Sequence, residues 1–96
     1  MIALRTLRKF WTIHPQAEEP LRTWFKDVSS ALWTGPHSIK DQFGSKVDFV
    51  ADNRVIFDIS GNKYRLVVRV AYPHRRVLIK FIGTHSDYDR IKPETV

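Results

Sequence analysis

The chain has 96 residues, which leaves room for one compact domain and excludes a two-domain enzyme. Hydrophobic residues make up 43% and charged residues 27%, a balance typical of a chain that folds by itself. Cysteine is absent, which excludes disulfides, thiolate zinc sites and a cysteine nucleophile and favours a reducing compartment. With no long apolar run and no signal-like N-terminus, we expect a single domain over residues 1–96, cytoplasmic and without a membrane partner.

Most of the positive charge lies in one segment. The chain carries 16 Lys and Arg against 10 Asp and Glu, a net charge of +6. Residues 1–52 hold seven basic and six acidic side chains, whereas residues 54–80 hold seven basic side chains and only one acid, Asp58. Such a concentration indicates a polyanionic partner such as nucleic acid, an acidic protein or a membrane surface. The alternative is an ordinary solvated surface that keeps the protein in solution.

The first half of the chain predicts helices. After a brief strand at residues 2–4, Thr6 precedes apolar residues at helical spacing, and Pro15 ends this short helix. A second helix is expected from about Gln16 to Gly35-Pro36. Its apolar stripe comprises Leu21, Trp24, Phe25, Val28 and Leu32. A third short helix is expected from a Ser38 cap to Phe43, with Asp41 in the capping-box position.

The second half changes to a period of two and predicts three antiparallel strands, residues 54–59, 63–72 and 76–82, joined as a meander. A two-residue turn at Gly61-Asn62 sets the register of the first hairpin. The expected cross-strand pairs are Ile59 with Tyr64, Asp58 with Arg65, Phe57 with Leu66, Val55 with Val68 and Arg54 with Arg69.

This register separates the two faces of the sheet. The apolar face holds Val55, Phe57, Ile59, Tyr64, Leu66, Val68, Val70, Val77, Ile79 and Phe81. The other face holds Arg54, Asp58, Lys63, Arg65, Arg69 and Lys80 among Ile56, Val67, Leu78 and Ile82. A slip of one residue would bury a row of cations, which makes the register well determined. We predict an α+β fold, with N-terminal helices packed on one face of a small antiparallel sheet and a cationic surface on the other.

A candidate site lies where the last strand ends. Thr84 and Asp87 form a capping-box pattern that predicts a short C-terminal helical turn through Ile91. The meander brings His85 and Tyr88 of this turn close to Asn62, Lys63 and Arg65. Taken singly, each side chain has an ordinary alternative: a surface histidine, a packing tyrosine, or an arginine paired with Asp58 across the hairpin.

No other pattern competes with this one. The sequence holds no phosphate-cradling glycine loop, no HExxH motif and no cluster of carboxylates, so no metal or other cofactor is expected. His14, His37 and His74 lie beside prolines or in turns, and no role is assigned to them.

Two segments carry a family resemblance. The run from Phe57 to Leu66, FDISGNKYRL, and the run from Ile79 to Asp89, IKFIGTHSDYD, resemble the HigB family of toxins of type II toxin-antitoxin systems. Phe10-Trp11, His14-Pro15 and the run from Leu21 to Trp24 extend the likeness over nearly the whole chain. The resemblance implies a RelE-like fold and an endoribonuclease that cuts messenger RNA, usually in the translating ribosome. It also implies a HigA-type antitoxin with a helix-turn-helix domain, through which the pair would bind its operator DNA.

The residues suggest how such cleavage would proceed without a metal. Attack by a 2′-hydroxyl on the adjacent phosphate needs a base, an acid and cations that stabilise the added negative charge. Catalytic roles are predicted for Arg65, His85, Tyr88 and Lys80, and RNA-binding roles for Asn62, Lys63, Arg69 and Arg54. The alternative function is a binding module that holds RNA or an acidic protein on the same basic face without cutting it.

Overall fold

The computed structural model describes residues 4–61, 63–74 and 76–96, and these form helices packed on an antiparallel sheet. The helices are α1 (Leu4–Ile13), α2 (Glu18–Ser29), α3 (Pro36–Phe43) and α4 (His85–Tyr88). The strands are β1 (Val47–Val50), β2 (Arg54–Ile59), β3 (Tyr64–Ala71) and β4 (Arg76–Thr84), in the sheet order β1-β2-β3-β4. The predicted α+β class is confirmed. No helix in the described ranges is both long and apolar enough to cross a bilayer.

The helices bury one stripe each against the sheet. Leu21, Trp24 and Val28 of α2 are buried as their spacing predicted, and Glu18 and Glu19 lie in its first turn, where negative charge suits the helix dipole. The prediction was wrong at the other end of this helix. Because α2 ends at Ser29, Leu32 lies outside it and is 72% exposed.

Two other predictions for the N-terminal half need correction. Residues 2 and 3 of the expected brief strand lie outside the described residues, and Leu4 already belongs to α1. Helix α3 begins at Pro36 with Gly35 as its N-cap, so Ser38 does not cap it. Instead the Ser38 hydroxyl accepts a hydrogen bond from the backbone N–H of Thr34 at 3.3 Å. Proline suits the first helical position because its missing N–H would lack a helical partner there.

The register predicted for the first hairpin is confirmed in full. β2 and β3 pair Ile59 with Tyr64, Asp58 with Arg65 and Arg54 with Arg69, together with the pairs between them. Phe57 lies at the centre of the core, with its ring 5.4 Å from that of Trp24 and 4.9 Å from that of Phe43. The helices therefore cover the face of the sheet that alternation assigned to the core.

Strand β1 was not predicted. It pairs antiparallel with β2 from Val47 opposite Phe57 to Val50 opposite Arg54. Only Val47 of its four residues is buried, so the segment carries little apolar alternation. It is a strand because the edge of β2 offers unpaired backbone groups, which is a tertiary effect.

A β-bulge in β4 changes the predicted faces at one end of the sheet. Val68 pairs with Ile79 and Val67 pairs with Phe81, so Lys80 is an extra residue without a cross-strand partner. As a result, Ile82 packs against the core and Phe81 lies on the opposite face, the reverse of the prediction for both residues. β4 also continues two residues beyond its predicted end at residue 82, to Thr84, which pairs with Tyr64.

The face opposite the helices is less open than the sequence suggested. Ile56 and Val67 alternate onto this second face, yet both are buried, at 3% and 0% exposure. Helix α4 contacts β3 and β4, and the Arg54 guanidinium Nη2 donates a hydrogen bond to the carbonyl of Val96 at 3.1 Å. The C-terminal segment thus covers part of the face and leaves cations exposed at its ends.

Candidate active site at one end of the sheet

Arg65 is the centre of a compact polar group on the second face. Its Nη1 lies 2.9 Å from Asp58 Oδ1, in the cross-strand pair that the hairpin register creates. Its Nη2 lies 3.5 Å from His85 Nε2, and its Cζ lies 5.1 Å from the centre of the Tyr88 ring. The Arg65 side chain is only 16% exposed. We call Asp58, Arg65, His85, Tyr88 and Asp89 the Arg65 cluster.

Local structure explains how His85 and Tyr88 reach Arg65. The capping box forms as predicted: the Asp87 N–H donates to Thr84 Oγ1 and the Thr84 N–H donates to Asp87 Oδ2, both at 3.2 Å. These two bonds start α4 at the residue after β4. Because Arg65 pairs with Gly83 in the sheet, the first residues of α4 lie beside the guanidinium.

The imidazole of His85 has a partner on each nitrogen. Nδ1 lies 3.5 Å from Asp89 Oδ2, one helical turn further on, and Nε2 faces the guanidinium of Arg65. Arginine can only donate, and a carboxylate can only accept. The neutral tautomer consistent with both contacts carries its proton on Nδ1 and leaves a lone pair on Nε2.

Tyr88 lies between Arg65 and the aromatic ring of Phe81, whose centroid is 6.4 Å from its own. Burial raises the pKa of the Tyr88 phenol, and the nearby cation of Arg65 lowers it in part. The carboxylates of Asp48, Glu94 and Asp58 raise the pKa further. The phenol is therefore protonated at neutral pH and available as a hydrogen donor.

The other predicted residues are distributed differently. Lys80 is exposed at the bulge of β4, and Lys63 is exposed in the β2–β3 turn, where its N–H donates to the Ser60 carbonyl at 3.3 Å. Lys63 lies at the same end of the sheet as Arg65, whereas Lys80 lies midway along β4, level with Val67 and Val68 of β3. Asn62 was predicted to bind RNA, and it lies outside the described residues.

Arg54 and Arg69 lie apart from the Arg65 cluster. They face each other across β2 and β3, four residues along β3 from Arg65, or about 13 Å. Both contact Asp52: Arg54 Nη1 lies 3.1 Å from Asp52 Oδ2, and Arg69 Nη2 lies 3.5 Å from Asp52 Oδ1. Arg54 is only 9% exposed, so its contacts hold the β1–β2 turn and the C-terminal segment together.

Three residues of the site were not singled out from the sequence. Asp89 could have been found, because it follows His85 by four residues in a predicted helical turn. Asp48 was missed together with strand β1. Phe81 was assigned to the core because a regular strand would have put it there, and no local signal marks the bulge.

Comparison with known proteins places this α+β domain among the toxins of toxin-antitoxin systems. The family model HigB_toxin, described as the RelE-like toxic component of a toxin-antitoxin system, matches residues 17–91. The chain belongs to this HigB toxin family, as the sequence resemblance predicted.

Curated relatives agree with this assignment. The mRNA interferase toxin HigB of Escherichia coli (strain K12) is 26% identical over 90 residues, which cover 93% of this chain and 86% of that protein. The mRNA interferase HigB of Shigella flexneri matches with the same identity and coverage. Another Escherichia coli mRNA interferase HigB is 20% identical over 79 residues, covering 81% of this chain and 77% of that relative.

Proposed function

We propose that this protein is an mRNA endoribonuclease of a toxin-antitoxin system, which cuts messages in the ribosome without a metal and so arrests growth. The observation that carries this proposal is the Arg65 cluster, where a guanidinium, an imidazole and a phenol meet on a basic face. The names of the curated relatives support the same activity.

The proposed reaction is an intramolecular transesterification at phosphorus. The 2′-oxygen of the RNA attacks the neighbouring phosphorus, the bond to the 5′-oxygen breaks, and the products are a 2′,3′-cyclic phosphate and a 5′-hydroxyl. A base takes the proton of the 2′-hydroxyl, and an acid gives one to the departing 5′-oxygen. The phosphoryl group gains negative charge on the way, which nearby cations stabilise.

The contacts of the cluster suggest how these tasks divide. His85 suits the base once the 2′-hydroxyl takes the place of Arg65 at its Nε2 lone pair, with Asp89 holding the ring through Nδ1. The Tyr88 phenol suits the acid, because it carries its proton and its ring lies 5.1 Å from the guanidinium carbon of Arg65. Arg65 uses one nitrogen for Asp58 and one for His85, and its five N–H donors leave some for a phosphate oxygen.

Exposed cations around the cluster would hold the rest of the strand. Lys63 and Lys80, both exposed, would meet neighbouring phosphates of the strand. Asn62 would position the RNA through its amide, while Arg69 and Arg54 would act further along the strand. Placement of the message by the ribosome would supply much of the orientation that so small an enzyme lacks.

An antitoxin of the HigA type is the proposed inhibitor in the cytoplasm. The toxin family implies an antitoxin partner. A helix-turn-helix antitoxin would bind operator DNA and carry the toxin with it, so the complex would repress its own operon. Coexpression with the neighbouring reading frame should restore growth.

The first test removes the central groups singly. Arg65→Ala and His85→Ala should each reduce cleavage by about 100-fold or more, since each deletes a group that acts in the transition state. Induced expression followed by primer extension on cellular messages should show discrete new 5′ ends for the wild type and few for either variant. Circular dichroism should show that both variants are folded.

His37→Ala serves as the matched control, because His37 is exposed on α3 on the helix side of the sheet. It should arrest growth as the wild type does. Undiminished cleavage by both Arg65→Ala and His85→Ala would discard the site. A toxic wild type that leaves no new 5′ ends would favour the alternative, a binding module without nuclease activity.

A further inference from the structure

A second concave site adjoins the Arg65 cluster on the helix side of the sheet. A cavity of about 360 Å³ lies between α2, α3 and the end of β2. Trp24, Phe43 and Phe57 supply its aromatic walls, and Thr23 and Lys46 lie among its polar lining. The volume is within the range of cavities that hold small organic groups.

Trp24, one of the residues that line the cavity, carries a buried donor without a partner in the described part of the chain. Trp24 is 3% exposed, and its indole N–H makes no hydrogen bond to any residue that the structure describes. A buried N–H of this kind normally has a partner, because leaving it unpaired costs free energy. The other indole beside this region, Trp33, donates to Gln42 Oε1 at 2.9 Å.

The edge of β2 adds backbone groups to the same cavity. β1 pairs with β2 only as far as Phe57, so Asp58 and Ile59, the last two residues of β2, continue without a strand neighbour on that side. Unpaired strand edges present both N–H and C=O groups. Aromatic walls combined with such donors and acceptors match a nucleobase, which offers a flat ring and a hydrogen-bonding edge.

Asp58 connects the cavity with the Arg65 cluster. It lines the cavity and also pairs with Arg65 at 2.9 Å, so the two sites are neighbours around the edge of one strand. Resting on the proposed function, we infer that the cavity binds one nucleobase of the RNA whose phosphate lies at Arg65. It would thereby select the base next to the cut.

The direct test observes the indole signals by NMR while ribonucleoside 3′-monophosphates are added to the toxin. The Trp24 indole signal should shift saturably with at least one of the four nucleotides. Inorganic phosphate and ribose 5-phosphate, which lack a base, should leave it in place. Trp11 of α1 does not line the cavity and provides an internal reference.

Thr23→Phe is the variant that fills the cavity, because Thr23 is exposed on α2 at the lining. It should abolish the nucleotide-induced shift of Trp24. It should also weaken base preference at the cut site about tenfold, as loss of one base-stacking contact would. Thr12→Phe places the same ring on an exposed position of α1 and should change neither.

The outcomes separate this inference from the proposed function. If the toxin cleaves RNA but none of the four nucleotides shifts its Trp24 signal, the base site in the cavity is wrong and the proposed nuclease activity stands. If the nucleotides shift the Trp24 signal but the protein cuts no RNA, the proposed nuclease activity is wrong and the base site in the cavity stands. If Thr23→Phe loses antitoxin affinity while its nucleotide-induced shifts persist, the cavity belongs to the protein partner and the inference fails.

Discussion

Arg65 takes part in three different interactions with its neighbours. It pairs with a carboxylate, approaches an imidazole and lies against a phenol ring. A lysine has one charged centre and no planar fork, so it could not make all three contacts. Its guanidinium is also held in place before any phosphate arrives. Arginine at this position is therefore a requirement of geometry as well as of charge.

The same neighbourhood determines when Tyr88 ionises. The ionisation of Tyr88 can be measured by titrating the wild type and Tyr88→Phe and following tyrosinate absorbance. The transition that only the wild type shows should lie above the ordinary tyrosine pKa of about 10, because burial raises the pKa of this phenol. In an Arg65→Ala background the transition should move to still higher pH, since the cation that lowers the pKa is gone. A difference transition at or below the ordinary value would contradict the environment described for the phenol.

At the scale of elements, the end of β4 decides whether the cluster assembles. Gly83 pairs with Arg65, and a Cβ built on it would lie 2.6 Å from Phe81 Cζ and 3.0 Å from Asp87 Cβ. The ring of Phe81 and the start of α4 thus approach the strand more closely than a side chain allows. Both of these neighbours belong to the segment that carries His85 and Tyr88.

Gly83→Ala should lower the free energy of unfolding by about 1–3 kcal/mol, because an inserted methyl forces its neighbours to move. Urea denaturation followed by tryptophan fluorescence would measure the loss. Gly35→Ala is the control: its backbone is extended, and the nearest atom to its Cβ would be His37 Nδ1 at 3.3 Å on an exposed ring. It should change stability by less than about 1 kcal/mol. Equal stabilities for the two variants would argue against tight packing at Gly83.

The bulge at Lys80 is the second feature of β4 that positions α4. Deleting Lys80 leaves Ile79 opposite Val68 and Phe81 opposite Val67, so the strand becomes regular with its pairings intact. The variant should fold but lose the local bend that a bulge produces. Cleavage should fall by about 100-fold, the penalty for misplacing reacting groups by about 1 Å.

Lys80→Ala separates the shape of the strand from the charge of the side chain. It keeps the extra residue and the bend, so it should lose less activity than the deletion. Circular dichroism and primer extension on both variants would measure fold and cleavage. Full activity in the deletion variant would show that the bulge does not position the site.

At the scale of the whole molecule, the cations considered for RNA binding spread along the second face of the sheet. Arg65 and Lys63 lie at one end, Lys80 lies midway along β4, and Arg54 with Arg69 lies towards the other end, where Asp52 neutralises part of their charge. The C-terminal segment covers apolar surface between the two ends. Asp58 neutralises Arg65 in the same way, so the exposed Lys63 and Lys80 should contribute most of the electrostatic attraction of a polyanion near the Arg65 cluster.

Salt dependence of RNA binding tests this distribution. For a single strand, the slope of log affinity against log salt is about −0.7 for each phosphate contact. Lys63→Ala and Lys80→Ala should each reduce the steepness by about that amount, as measured by fluorescence anisotropy with a non-cleavable oligonucleotide. Lys9→Ala, an exposed cation on α1, should leave the slope unchanged. Equal slopes in all three variants would place the RNA elsewhere.

Local patterns in the sequence determined a large part of this protein. Alternation of apolar and charged residues set the register of β2 against β3, since a slip would have buried cations such as Arg65 and Arg69. The Thr84–Asp87 capping box starts α4 directly after β4, and the β3–β4 hairpin brings His85 of that helix beside Arg65. These features need only neighbouring residues to form.

Tertiary structure alone decided the rest. The bulge at Lys80 exchanges the faces of Phe81 and Ile82, and it arises where β4 must fit both β3 and the start of α4. β1 is a strand because β2 offers it an edge, and Arg54 is buried beside Val96, 42 residues further along the chain. Periodicity describes one segment at a time, whereas these outcomes depend on contacts between separate segments.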